Sequence, residues 1–236
     1  VSAAGDARRS FGRVVNASDI IGNSYKNEGG RVPMYIPKTF EMTDEETIFD
    51  FIEKNSFGVI ISRHDNRLFG THLPFVPDRA NRCLTGHFAK QNEQWQDIEK
   101  QEVLVIFQGP HHYISPSWYE THQAVPTWNY VAVHVYGSME LIHDPEALMR
   151  DLRKMVDKYE GQSSSYRMDE SNQAYIEKLM GGLVGFNIKI HKLEGKWKLS
   201  QNQSKERQTR VMENLEKLPT DDAKAIAEWM RKNMTS

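Results

Sequence analysis

The sequence predicts an α+β protein dominated by antiparallel strands, a barrel or sandwich with helices packed outside it. Two observations carry this. The strand-like segments cluster between Phe57 and Leu193 and are mostly joined by short loops. No Gly-x-Gly-x-x-Gly opens a helix after a strand, so a doubly wound dinucleotide fold has no support. The composition agrees with a globular chain large enough to bury a core: 236 residues, 39% hydrophobic and 26% charged.

The elements follow in order. Residues 1–33 are rich in Gly, Ser, Asn and Arg, with Asn27-Glu28-Gly29-Gly30 reading as linker. They are expected to be a flexible N-terminal extension, vector-derived or read from an upstream start. Residues 34–218 are expected to form the barrel domain and 219–236 a C-terminal helix. Thr43 and Glu46 have capping-box spacing, predicting a helix from Thr43 to about Asn55 with Ile48, Phe51 and Ile52 on one face. Phe57–Ser62 and Leu68–Phe75 read as a hairpin around Asp65-Asn66. Cys83–Phe88 is a third strand. Val103–Phe107 is a buried strand that Gly109-Pro110 is expected to stop.

Trp128–Ile142 alternates cleanly, with Val131, Val133 and Val135 on one face and Tyr130, Ala132, His134 and Tyr136 on the other. Gly137 marks a kink or bulge. Asp144-Pro145 reads as N-cap and first helical residue of a helix to about Tyr159, with Leu148, Leu152, Met155 and Val156 as its core stripe. A Ser-rich loop leads to a helix from about Glu170 to Met180, and Val184–Leu193 is the last strand. Lys205–Leu218 and Asp221–Met234 are amphipathic helices, the second capped by Thr220.

Several function classes are excluded or weakened. No run approaches the roughly 20 apolar residues that span a bilayer. The single cysteine, Cys83, forbids an intramolecular disulfide and fits a reducing cytoplasm. A net charge of −2 argues against a broadly basic nucleic-acid binder.

Eight of the 9 histidines lie between His64 and His143. A metal site, acid/base catalysis by His72 or His87, and backbone-bonded structural imidazoles compete for them. His111-His112 are adjacent, so on a strand their rings diverge, and no metal-ligand spacing supports a metal. Thr85-Gly86-His87-Phe88-Ala89-Lys90 is a strand ending in a cation, the type of terminus that takes a phosphate, with Gly86 read as allowing close backbone approach. Trp118, Tyr119, Trp128 and Tyr130 suit stacking on a planar ligand, a subunit interface or plain core packing. Lys196 to Arg210 is the clearest basic stretch, placed to reach an anionic ligand or nucleic-acid phosphates. Lys205, Arg207 and Arg210 are its candidate DNA contacts, against the alternative of a solvated helix face.

Seven segments together resemble the PaiB family of FMN-binding negative transcriptional regulators of bacilli and their relatives. They are Met34-Tyr35-Ile36-Pro37, Thr71-His72-Leu73-Pro74, Gly86-His87-Phe88-Ala89, Phe107-Gln108-Gly109-Pro110-His111, Tyr113 to Tyr119, Val125 to Tyr130, and Lys198-Leu199-Ser200-Gln201-Asn202. They run in family order from Met34 to about Leu218. The resemblance implies a flavin-type split barrel and a homodimer with FMN at the interface, similar to pyridoxamine-phosphate oxidases and flavin reductases. It implies repression of protease production and sporulation, or an FMN-dependent oxidoreductase acting indirectly; haem is a remote alternative cofactor. By position it places Thr71, His72 and Leu73 beside the flavin and His87, Phe88, Ala89 and Lys90 at its phosphate. Gln108 closes the next strand, and Lys198 and Gln201 come from the partner-side loop. The chain departs from the Arg-Lys phosphate pair of the oxidases, having Ala89-Lys90 there.

Overall fold

The computed structural model describes residues 34–121 and 123–235. The expectation for residues 1–33 lies outside them. Eight strands form one antiparallel sheet: β1 (Glu41–Met42), β2 (Phe57–His64), β3 (Arg67–Pro74), β4 (Val76–Asp78), β5 (Cys83–Ala89), β6 (Glu102–Ile114), β7 (Thr127–Ile142) and β8 (Leu183–Lys198). The order is β3-β2-β6-β7-β8-β5-β4, with β1 paired to β8. The sheet curls until β3 lies against β5. Those two strands share no ladder, so the barrel is split. Asn92, just past β5, donates to the Thr71 hydroxyl on β3 (2.9 Å) and bridges the seam.

Alternation makes the interior. Val103, Val105 and Phe107 of β6, Val131, Val133 and Val135 of β7, and Phe186 and Ile188 of β8 are all buried in one cluster. At about 25 cal/mol per Å² of apolar surface, this layer dominates the favourable side of folding. The β2–β3 turn is made by Asp65 and Asn66, both left-handed (φ 48° and 60°), the geometry that matches strand twist in a two-residue hairpin.

Two features of the strands differ from the sequence expectation. Gly109-Pro110 does not stop β6; the strand shifts register between Gln108 and His111 and continues to Ile114. A bulge accommodates a residue that cannot donate to the ladder, so proline interrupts pairing without ending the strand. β8 runs on past Leu193 to Lys198, because Lys192, Glu194, Lys196 and Lys198 keep the period of two with charged residues. The expected irregularity at Gly137 is present, between Tyr136 and Gly137; a Cβ there would come 2.4 Å from the Lys189 carbonyl oxygen.

Five α-helices surround the sheet: α1 (Glu45–Lys54), α2 (Pro145–Glu160), α3 (Gln173–Met180), α4 (Lys205–Glu216) and α5 (Asp221–Thr235). α1 is capped by Asp44, one residue later than expected, whose carboxylate accepts from Thr47 N (2.9 Å). Asp144 caps α2 as expected, accepting from Glu146 N and Ala147 N. Of the stripe expected on α2, only Leu148 is fully buried; Leu152, Met155 and Val156 are half-buried, so α2 lies at the periphery. α5 is a core element: Ala223, Ile226, Ala227 and Met230 join Val211 and Leu215 of α4 in the main cluster. Among the described residues no helix is long and apolar enough to cross a membrane.

Candidate functional site

The two faces of the sheet differ in kind. On the outer face, register partners form a row across five strands: His72 (β3), Val59 (β2), Ile106 (β6), His134 (β7) and Glu194 (β8). The next row runs Gly70, Ile61, Leu104, Tyr136 and Lys192. Apolar residues thus occupy the β2–β6 half and charged or polar residues the β7–β8 half. Phe57 is 65% exposed and stacks on His72 (centroids 6.2 Å, 26°), and Leu68 is 75% exposed.

The β8 cations lie on this face. Lys196 is only 8% exposed; its Nζ donates to the Tyr35 carbonyl (2.7 Å) and sits 5.4 Å from the Tyr35 and Tyr130 rings. Lys198 Nζ donates to Thr127 Oγ1 and to the Trp128 carbonyl (2.8 Å), over the Phe40 ring. Burial, aided by the Lys196 charge, pushes the Lys198 ammonium below the ordinary lysine range. Glu194, 7% exposed, pairs with Lys192 (2.6 Å). Tyr136 is pushed up to about 12 by burial and then by the Glu194 carboxylate. Burial holds His134 below the ordinary imidazole value, and its Nδ1 is buried without a hydrogen-bond partner among the described residues.

The residues singled out in the sequence divide into separate groups. Thr71 and Leu73 point to the interior side of β3 while His72 points outward, as alternation requires. Thr71 donates to Gln94 Oε1 and accepts from Asn92, which ties it to the turn after β5. Gln94 is fully buried and its Nε2 reaches the Ser62 hydroxyl (2.9 Å) and the Phe69 carbonyl (3.2 Å). Ala89 and Lys90 are exposed on the same turn, and the Lys90 ammonium makes no ion pair among the described residues. Phe88 is core, 4.8 Å from Phe186.

His87 faces outward from β5 opposite Gly185, which lies under Leu148 of α2; burial pushes its pKa down. Gln108 is exposed beside His111 (3.2 Å). His111 in turn pairs across with Tyr130, and Tyr130 with Lys198. Gln201 closes its own turn, accepting from Leu199 N (2.7 Å) and donating to the Trp197 carbonyl (2.6 Å).

Gly86 has a different cause from the one expected. A Cβ there would lie 2.6 Å from the Phe186 ring, so the missing side chain makes room for the core and not for a ligand. On α4, Arg207 is committed to Glu120 (2.6 Å) and lies over Tyr119, whereas Lys205 and Arg210 are exposed. His64 Nδ1 meets Asp97 (3.0 Å), with Asp65 beside them.

Sequence reasoning named Lys196 only within a basic stretch and His134 and Tyr136 only as one face of β7; it missed Glu194 and the buried Gln94. The signal for the β8 residues was present. Lys192-x-Glu194-x-Lys196-x-Lys198 keeps a strand period with charge in place of apolarity. Gln94 has no such signature, because its partners come from β2 and β3.

The residue types on this face are those that hold a flat anion, the cations on β8 and the Phe57–His72 pair at the β2–β3 end of the row. Two cations on one strand face, one of them desolvated, favour negative charge, and the stacked Phe57–His72 pair and exposed Trp128 favour a planar ring.

Comparison with known proteins converges on the same class. Residues 34–192 match the family model described as "Putative FMN-binding domain". The chain is 40% identical over 201 residues to "Protease synthase and sporulation protein PAI 2" of Bacillus subtilis (strain 168), covering 84% of this chain and 96% of that one. Among solved structures, the flavocytochrome Anf3 from Azotobacter vinelandii superposes with a TM-score of 0.54 at 15% identity, over 70% of this chain and 72% of that one. The FAD and heme binding protein from Mycobacterium smegmatis gives 0.52 at 13% identity, over 66% and 72%. These two share the split-barrel fold. The chain belongs to the PaiB family of flavin-type split barrels.

Proposed function

We propose that this protein is an FMN-binding negative regulator of the PaiB type, acting on protease production and sporulation, with two copies enclosing the flavin between their outer sheet faces. The observation that carries the reading is the outer face itself. It keeps a buried Lys196, a half-buried Lys198 and an imidazole nitrogen unpartnered among the described residues, where a self-sufficient chain would place ordinary solvated side chains. Such desolvation is costly unless an opposite charge is supplied. The name of the Bacillus subtilis relative supports the regulatory role.

Lys90, exposed at the end of β5, would hold the FMN phosphate. Lys198 would approach the cofactor from the partner copy, and His72 would flank the ring. Bound flavin supplies one- and two-electron redox chemistry. The protein's own part is to orient it, exclude water and offer positive charge. Lys205 and Arg210 of α4, doubled by two-fold symmetry, are the proposed DNA contacts; Arg207 is already neutralised by Glu120.

The test is titration of flavin-free protein with FMN and with riboflavin, which lacks the phosphate. Lys90→Ala is expected to weaken FMN roughly tenfold, about 1.4 kcal/mol, and to leave riboflavin unchanged. Equal loss for both ligands removes the phosphate assignment. Rapid reduction of bound flavin by NAD(P)H would move the reading to an oxidoreductase.

A further inference from the structure

A cavity lies away from the outer sheet face, between α1, α5 and the end of β8. Its volume is about 240 Å³. Its walls include Phe51, Trp197 and Trp229, with Lys54, Lys232 and Asn233 around them. We propose that this cavity binds a small aromatic carboxylate.

The ring-binding half of the argument is geometric. Trp229 meets Phe51 edge-on (centroids 6.2 Å, 61°) and Trp197 edge-on (6.0 Å, 63°), so three aromatic side chains enclose one space. Edge-to-face contacts of this kind suit a further ring. An apolar protein cavity of about 150 Å³ holds benzene, so this one has room for a substituted ring. Trp197 is fixed in place by its indole N–H, which donates to the Glu41 carbonyl (3.1 Å).

The carboxylate half follows from charge. Asp50, the acid in the lining, is bonded to the Arg79 guanidinium. Lys232 pairs with Glu228 (2.7 Å). Lys54, at the end of α1, is in no contact ion pair among the described residues and shares the Glu228 carboxylate with Lys232 at longer range, so two lysines face one acid and the lining keeps an excess of positive charge. Asn233 Nδ2 is buried with no hydrogen-bond partner among the described residues. A buried unsatisfied donor is unfavourable, and an acceptor oxygen seated beside it relieves that. A ring carrying one carboxylate uses the aromatic walls, the Lys54 charge and the Asn233 amide together. On β8, Trp197 alternates with Lys196 and Lys198, so it faces the opposite side of the sheet from the cations assigned to the flavin.

Nuclear magnetic resonance of the full chain, with and without FMN, tests this. The probes are phenylacetate and 2-phenylethylamine, and Trp197→Phe and Trp229→Phe assign the indole N–H signals. Phenylacetate is expected to shift both indole signals saturably, equally with and without FMN, while the amine shifts neither. Lys54→Ala is expected to weaken phenylacetate roughly tenfold, and Lys54→Arg to restore it. Unmoved indole signals, equal binding of the amine, displacement by FMN, or an affinity indifferent to Lys54→Ala would each overturn the proposal.

Discussion

β6, β7 and β8 present two faces built by opposite rules from the same residues in alternation. Inward, Phe107, Val133 and Ile188 are fully buried and apolar. Outward, Gln108, His134, Lys196 and Lys198 crowd charge and polarity onto a surface where Lys196 and Glu194 are nonetheless nearly buried. The inner face needs only the transfer of apolar surface out of water. The outer face carries desolvated ionic groups, which hydrophobic replacements of similar volume often match or exceed in stability. Stability accounts for the first face; the second is the face proposed above to bind. Substitutions on the two faces should therefore fail in different assays.

The largest effect belongs to the inner face. Phe107 is fully buried, edge-on to Phe75 (5.5 Å, 80°). Phe107→Ala is expected to cost about 3–5 kcal/mol of unfolding free energy, read as a lower urea midpoint. A loss below about 1 kcal/mol would mean that the interior is loosely packed there. Gln94 comes next, because it joins β2, β3 and the turn after β5 from inside. Gln94→Leu leaves the hydroxyls of Ser62 and Thr71 short of a partner, and each stranded buried group costs about 1–3 kcal/mol.

The outer face should behave otherwise. Lys198→Ala is expected to leave the urea midpoint nearly unchanged, since removing a desolvated ammonium relieves strain as well as breaking two hydrogen bonds. FMN affinity should fall roughly tenfold, about 1.4 kcal/mol. A variant that loses stability and keeps affinity would assign Lys198 to the fold instead.

This contrast also explains what could be read from the sequence. The valines of β7 announce their face because every second residue is apolar, and one face buried is the pattern that alternation detects. β8 hides its last third because its outer face is charged, so a reading based on hydrophobicity ends at Leu193 although the ladder continues to Lys198. Pro110 misled for a related reason. Proline excludes a ladder hydrogen bond, and the bulge between Gln108 and His111 removes the need for one. Thr71, His72 and Leu73 were legible as a strand, but alternation sends Thr71 inward to Gln94 and only His72 outward. The Gln94 network and the α1–α5 cavity depend on segments far apart in the chain, and no local pattern announces them.

The smallest effect is a pH dependence that differs between histidines. Burial pushes His87 below the ordinary imidazole value, so it protonates more readily when unfolded than in the fold. Its unfavourable contribution is absent above about pH 6.5, the unfolded value. It grows as pH falls from there toward the folded value, because the unfolded chain then binds the extra proton. His87→Gln should therefore flatten the decline in urea midpoint between neutral and mildly acidic pH. His134 is shifted in the same direction by burial but stands on the outer row, between Ile106 and Glu194. If a second copy and FMN cover that row, adding FMN should steepen the acid dependence that His134→Gln removes, and leave the part due to His87 as it was. His64 runs the other way. Its hydrogen bond to Asp97 raises its pKa, so its contribution is present below the unfolded value and disappears as pH rises through the folded one. His64→Gln should thus lower the midpoint more in mild acid than at neutral pH, and an equal change at both would show that the pair is too solvated to count.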